Sequence, residues 1–283
     1  MKLIESSLEG RGLKGNVRFL EEKTYYAVEN SGKIEKGGFK SGRFLSFNED
    51  GNLLLEVSDS KDFSSKDTYI YDSKGDLIKK RLSNNYNCTY VYDYVNNIIE
   101  ETCYYDSVNI ANEYIYQDDS NGNLIEEKPY DSERDYMGRT IYKYDSNGKL
   151  IEENEYYEDD DNEILNKKCV FDSRGYMTEE NDYDEDGDLK QKWTYNNTYN
   201  SDGKLIEGSI FDKDGKLISK SFFKYDSKGN RYKYITYDSD GKLFSNLNYI
   251  EFDDKNNWIT CTEMFKDRLE IIIRQIDYYG EDN

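Results

Sequence analysis

Apolar and polar positions alternate along this chain in short bursts. The bursts end at regular intervals in an aromatic–Asp–x–x–Gly–x–apolar–apolar octet. The octet reads FNEDGNLL from Phe47, YDSKGDLI from Tyr71, YDYVNNII from Tyr92, DDSNGNLI from Asp118, YDSNGKLI from Tyr144 and FDSRGYMT from Phe171. It continues as YDEDGDLK from Tyr183, YNSDGKLI from Tyr199, FDKDGKLI from Phe211, YDSKGNRY from Tyr225, YDSDGKLF from Tyr237 and FDDKNNWI from Phe252. Degenerate copies at Tyr105, Tyr130 and Tyr157 fill longer gaps, so the unit is about 13 residues and the double unit about 26.

Aromatic residues recur two apart before the octets, as in Tyr69/Tyr71, Tyr90/Tyr92, Tyr114/Tyr116, Tyr142/Tyr144 and Phe223/Tyr225. A period of two puts side chains on one face of a strand, and no stretch sustains the period of a helix. Each octet predicts a turn: Asp suits the first position of a type I turn, and the Gly position calls for positive φ. The residues predicted there are Gly51, Gly75, Asn96, Gly122, Gly148, Gly175, Gly187, Gly203, Gly215, Gly229, Gly241 and Asn256. Asn is the best substitute for Gly in that conformation. Roughly eight residues per unit remain for a strand of ~27 Å. The pattern predicts an all-β fold, a repetitive antiparallel β-meander of about twenty strands. An open sheet of that many twisted strands should curl into a superhelical or shell-like form. Residues 46–259 are the repeat array, 1–45 an N-terminal cap and 260–283, with EIIIRQI, the C-terminal capping strands of one continuous domain.

Composition narrows the function. Hydrophobic residues are 36% of 283, yet 29 Tyr and 12 Phe bring aromatics to 15%, which argues against a disordered acidic chain. With 38 Lys+Arg against 59 Asp+Glu the net charge is −21. Such a surface repels nucleic-acid phosphate and anionic lipid, so neither nucleic acid nor membrane insertion is expected. There is no His and no P-loop, G-x-S-x-G or G-x-G-x-x-G pattern, so no catalytic residue, cofactor or enzyme activity is expected. Cys88, Cys103, Cys169 and Cys261 form no C-x-x-C pair and are expected as reduced, half-buried thiols. The N-terminus has no apolar h-region, which predicts a cytoplasmic protein, or a secreted one if a leader has been removed.

At these octets the chain resembles the YD-repeat (rearrangement-hotspot) proteins, with their Y-x-Y-D-x-x-G-x-L signature, and is similar to bacterial MORN-variant, antitoxin-like repeat proteins. The resemblance covers roughly residues 47–259. It implies a non-enzymatic β-repeat scaffold; no DPxG-type processing motif points to toxin delivery. A second resemblance, to choline-binding and clostridial cell-wall repeats, lacks their G-W step, since the only Trp residues are Trp193 and Trp258.

Two stretches remain as candidate sites. DYDEDGDLKQKW from Asp182 matches the first eight positions of an EF-hand loop, but Trp193 stands where the bidentate Glu belongs, so no metal is expected. Residues 151–190 hold 16 Asp/Glu against Lys167, Lys168, Arg174 and Lys190. Their acidic excess is the candidate surface for a basic protein partner, carried by Glu158, Asp159, Asp160, Asp161, Asp182, Asp184, Asp186 and Asp188. The leading expectation is a protein-binding repeat protein, immunity- or antitoxin-like against a basic toxin. The alternatives are a glycan or cell-surface module using the Tyr ladders and an acidic mimic of nucleic acid.

Overall fold

A computed structural model describes residues 7–8, 11–83, 85–105, 108–159, 162–266 and 268–280. Twenty strands and no helix make up their regular structure, and the pairings between consecutive strands are antiparallel hairpins. The chain divides into two compact units, a central one of Tyr86–Lys220 and a terminal one of Lys2–Asn85 with Ser221–Asn283.

The terminal unit starts with β1 (Val17–Asn30), β2 (Lys33–Phe47), β3 (Leu53–Ser60), β4 (Ser64–Tyr71) and β5 (Leu77–Arg81). The central unit follows with β6 (Asn87–Asp93), β7 (Ile98–Tyr104), β8 (Ile110–Asp118), β9 (Leu124–Tyr130) and β10 (Gly138–Tyr144). It continues through β11 (Leu150–Asp159), β12 (Asn162–Phe171), β13 (Met177–Tyr183), β14 (Leu189–Tyr199) and β15 (Leu205–Phe211). After β16 (Leu217–Tyr225), which crosses the boundary in sequence, the terminal unit resumes with β17 (Arg231–Asp238), β18 (Leu243–Phe252), β19 (Trp258–Phe265) and β20 (Arg268–Tyr278).

The octet prediction translates into one recurring turn. The aromatic at octet position one pairs across the hairpin with the apolar residue at position seven, as in Tyr71↔Leu77, Tyr144↔Leu150 and Tyr199↔Leu205. In the β10–β11 turn the Asp145 carbonyl accepts from Gly148 N at 3.0 Å, and Asp145 Oδ1 accepts from Asn147 N and Lys149 N. Eleven of the twelve predicted positions have positive φ, among them Asn256 at 65°. Asn96 does not, and is corrected here: the positive φ falls on Asn97. Asp93 pairs directly with Ile98 without a register shift, so this loop has four residues rather than five and its left-handed corner lies one position later. The degenerate copy at Tyr130 puts Arg134 at the same corner, with φ 69°.

Tyrosines at octet position one also tie successive turns together. The Tyr71 hydroxyl donates to the Leu53 carbonyl, and that of Tyr144 to the Leu124 carbonyl. The Tyr199 hydroxyl reaches the Asp172 carboxylate, and Tyr278, at the end of β20 and outside the octets, reaches Asp253 in the same way. The bonds of Tyr71, Tyr144 and Tyr199 each link neighbouring turns at the same edge of one unit, a contact that a Phe at the position could not make.

The expectation of an open superhelical sheet is corrected by the first and last strands. β1 pairs antiparallel with β20, from Val17↔Tyr278 to Tyr26↔Glu270. The two ends of the meander therefore satisfy each other's backbone groups, and neither is left as an unpaired edge open to aggregation. The fully buried Val17 and Leu20 of β1 pair with Tyr278 and Ile276 of β20, and the Ile271–Ile273 run pairs with Lys23–Tyr25. A buried cluster of Leu13, Val17, Leu20, Leu45, Phe47, Leu53 and Tyr278 forms the core of the terminal unit. The expectation of four reduced thiols is corrected as well. Cys88 and Cys103 are directly opposed on β6 and β7 and form a disulfide, while Cys169 and Cys261 are free and buried.

Candidate functional site

Consecutive hairpins put their turns at alternating edges of the central unit, and the turns differ in charge: the β8–β9 turn carries Asp119 without a base, and the β15–β16 turn at the other edge sets Asp212 and Asp214 beside Lys213 and Lys216. The β10–β11, β12–β13 and β14–β15 turns each balance an acid with a base: Asp145 with Lys149, Asp172 with Arg174, Asp202 with Lys204. The β9–β10 and β13–β14 turns lie at the other edge and carry Asp131, Glu133, Asp135, Asp184, Glu185, Asp186 and Asp188. Their one base, Arg134, is held by Glu113 at 2.7 Å. Of the predicted acidic residues, Asp182 and Asp184 are half-buried, and Asp186 and Asp188 are exposed. Glu158 is half-buried near the end of β11 and Asp159 is its last residue; Asp160 and Asp161 lie outside the described residues. Meander topology thus brings two sequence-distant acidic segments to one edge.

Glu158 is placed against its own charge. It stands directly opposite Glu163, whose carboxylate is already taken by Arg139 at 2.7 Å and by the Tyr136 hydroxyl. Like charges opposed across a pair of strands are destabilising, and Glu158 Oε2 is buried without a hydrogen-bond partner. The Asp184 carboxylate, by contrast, is used by its own turn, accepting from Asp186 N and Asp188 N. That geometry is the same as in the other octets, so the EF-hand-like spacing reflects turn chemistry.

In mid-strand, one face of the sheet carries a Tyr–Glu ladder. Glu101 of β7, Glu127 of β9, Glu153 of β11 and Glu180 of β13 stand on alternate strands, 26 or 27 residues apart. Glu101 accepts from the hydroxyls of Tyr90 and Tyr116 at 2.8 and 2.7 Å, Glu127 from that of Tyr142 at 3.3 Å, and Glu180 from that of Tyr195 at 2.7 Å. Lys167 Nζ reaches Glu180 at 2.5 Å. Burial, with repulsion from Glu101 and Glu153, raises the Glu127 carboxyl above its usual range against the pull of the Tyr142 hydrogen bond. Burial also raises Glu153, opposed by Lys167. Burial works the same way on Glu180, but Lys167 and Tyr195 prevail and lower it. Burial and the neighbouring carboxylates push Tyr116, Tyr142 and Tyr195 upward, so these phenols stay protonated donors. The Cys169 thiol on the same face is pushed up to about 11 by burial, which makes it a poor nucleophile.

The opposite face is ion-paired: Glu152 sits between Lys143 and Lys168 at 2.6 and 2.9 Å, and hydrogen bonds from both bring its carboxyl down to about 2. The sequence reading singled out the tyrosines but missed the glutamates. The signal that could have found them was their 26-residue spacing, nine positions after each octet start at Tyr92, Asp118, Tyr144 and Phe171.

Fold and site together define an antiparallel β-repeat protein with an acidic hairpin edge. No protein-family model and no curated protein matches the chain. Similar solved structures include the TcdB2-TccC3-TEV crystal structure (TM-score 0.32, 11% identity), which covers 86% of this chain and 16% of that one. A porin-like protein from Bacteroides uniformis is similar at TM-score 0.41 and 10% identity, over 93% of this chain and 98% of that one. A DUF1329 family protein from Desulfovibrio piger has TM-score 0.21 and 8% identity, over 94% and 88%. This chain spans about a sixth of the TcdB2-TccC3 chain.

Proposed function

We propose that this chain is a non-catalytic β-repeat protein of YD type that binds a basic protein partner, in the manner of an immunity protein or antitoxin, through the acidic hairpin edge of its central unit. The observation that carries the reading is the gathering of acid in the β9–β10 and β13–β14 turns at that edge, while the β10–β11, β12–β13 and β14–β15 turns at the opposite edge each balance an acid with a base. The unpartnered Glu158 oxygen facing Glu163 adds a second reason, because an incoming cation would relieve both its desolvation and the repulsion. The glycan alternative gains less support, since the ladder hydroxyls of Tyr90, Tyr116, Tyr142 and Tyr195 are already donated to glutamates.

The test is affinity capture from the native host, read by mass spectrometry, with two charge-matched variants. The edge variant carries Glu185→Gln, Asp186→Asn and Asp188→Asn, leaving the turn-capping Asp184 intact. The control carries Glu49→Gln, Asp50→Asn and Asp202→Asn at exposed positions of other turns. Wild type and control should retain the same basic protein and the edge variant should lose it. Equal retention by both variants would refute the proposal.

A further inference from the structure

The terminal unit holds a cavity of about 460 Å³ whose chemistry runs against the rest of the chain. In a protein of net charge −21, this cavity is lined among the described residues by four cations, Arg11, Lys14, Arg231 and Arg274, and by no Asp or Glu. Two of the four are fixed from outside the lining. Arg11 is paired with Glu56 at 2.8 Å, and Arg274 with Glu22 at 2.8 Å. The other two have only neutral partners among the described residues. Lys14 Nζ donates to Asn230 Oδ1 at 3.0 Å and to the Asn256 carbonyl at 3.3 Å. The Arg231 guanidinium lies within 6.0 Å of the rings of Phe223, Tyr234 and Tyr249. Arg11 Nε is buried without a hydrogen-bond partner. Two positive charges without an acidic partner among the described residues therefore border the same space.

The walls are aromatic. The Trp258 ring lies under the Arg274 guanidinium at 3.4 Å from its centroid, and Tyr249 is 5.4 Å from Trp258. Stacked guanidinium and ring surfaces accept a flat apolar body, and they exclude the water that would otherwise screen the charges. A cavity of this size matches an ordinary small-molecule site. The geometry points to a binding site for a small aromatic anion, an aryl phosphate or carboxylate. Its charged group would be held by Lys14 and Arg231, and its ring by Tyr249 and Trp258. This site belongs to the terminal unit and is independent of the acidic edge.

The probes are phenyl phosphate, benzoate, inorganic phosphate and neutral benzyl alcohol, titrated against the full chain carrying Trp193→Phe, so that Trp258 is the sole indole reporter. Phenyl phosphate or benzoate should quench Trp258 fluorescence saturably, whichever binds more tightly naming the anionic group the site prefers. Benzyl alcohol and inorganic phosphate should each bind at least about tenfold more weakly. Arg231→Gln and Lys14→Gln should each weaken the preferred probe by about tenfold. Arg231 is exposed, so its variant should melt like the parent, which separates loss of the site from loss of the fold. No saturable binding of either aryl anion would overturn the inference. So would inorganic phosphate binding as tightly as the aryl anions, or an Arg231→Gln variant that binds like the parent.

Discussion

Gly148→Ala adds a single methyl group at the left-handed corner of the β10–β11 turn, where φ is 76°. A Cβ built there would meet only the Asn123 side-chain amide, at 3.7 Å, so space is not the issue. What remains is backbone strain of about 1–2 kcal/mol for an L-residue in that region. The lower entropy of the unfolded chain offsets about 0.4–1 kcal/mol of it. The net loss should be about 1 kcal/mol, a fall in Tm of roughly 2–4 °C for a chain of this size. Gly148→Asn should cost less, because Asn256 occupies the same octet position at φ 65°. Gly138 is the contrasting case. Its φ is 121°, and a Cβ there would lie 2.1 Å from the Tyr156 carbonyl oxygen and 2.7 Å from Tyr157 Cα. Both are backbone atoms of the paired strand β11 and cannot swing away. Gly138→Ala should cost about 3 kcal/mol or more, since strain and a backbone clash add. Urea melts of the three variants, with m-values compared to show that the unfolded state is unchanged, read the order directly. Equal losses for Gly148→Ala and Gly138→Ala, or a Gly148→Asn variant worse than Gly148→Ala, would show the reasoning to be wrong.

Three further outcomes follow from the same structure. Glu127 and Glu153 have raised folded-state values, so their stabilising contribution is complete below the unfolded carboxylate range and is lost as pH rises through the folded value. The turn carboxylates Asp72, Asp119 and Asp145 are lowered by hydrogen bonds from their own turns, so their contribution is lost as pH falls through the folded value. Stability should therefore rise on acidification from neutral toward the ordinary carboxylate range and fall once that range is passed, and Glu153→Gln should blunt the rise in thermal melts. Reduction of Cys88–Cys103, which closes a separation of 15 residues, should cost about 3 kcal/mol, and a thiol assay finding four free cysteines in the untreated protein would contradict the pairing. Calcium titrated calorimetrically should give no micromolar binding at 182–193, because Asp184 is engaged by its own turn.

The repeat was legible because turn chemistry is local: Asp, Gly and their spacing specify the corner whatever surrounds it. Asn96 marks the limit of that logic, since the loop length is decided by whether Asp93 joins the strand, which depends on β7. Gly138 lies outside any octet, and its need for glycine comes from a strand that follows it in the chain. The β1–β20 pairing joins residues more than 240 apart and leaves no local trace. The disulfide was readable in retrospect, because the hairpin register that pairs Asp93 with Ile98 also opposes Cys88 and Cys103. Of the candidate site, the acidic composition was visible in the sequence, whereas the shared edge required the alternation of the meander. The Tyr–Glu ladder needed the double period to be followed beyond the octets themselves.

The central claim, a local acidic docking edge, is tested most directly by the association rate of the captured basic partner as salt is varied. Electrostatic steering speeds encounter and fades with screening. The Glu185→Gln, Asp186→Asn, Asp188→Asn variant should associate several-fold more slowly than wild type at low ionic strength. The two should converge near ~1 M salt, where the Debye length is about 3 Å. The Glu49→Gln, Asp50→Asn, Asp202→Asn control should keep the wild-type rate. If both variants slow association equally, the effect belongs to net charge and the edge is not a site.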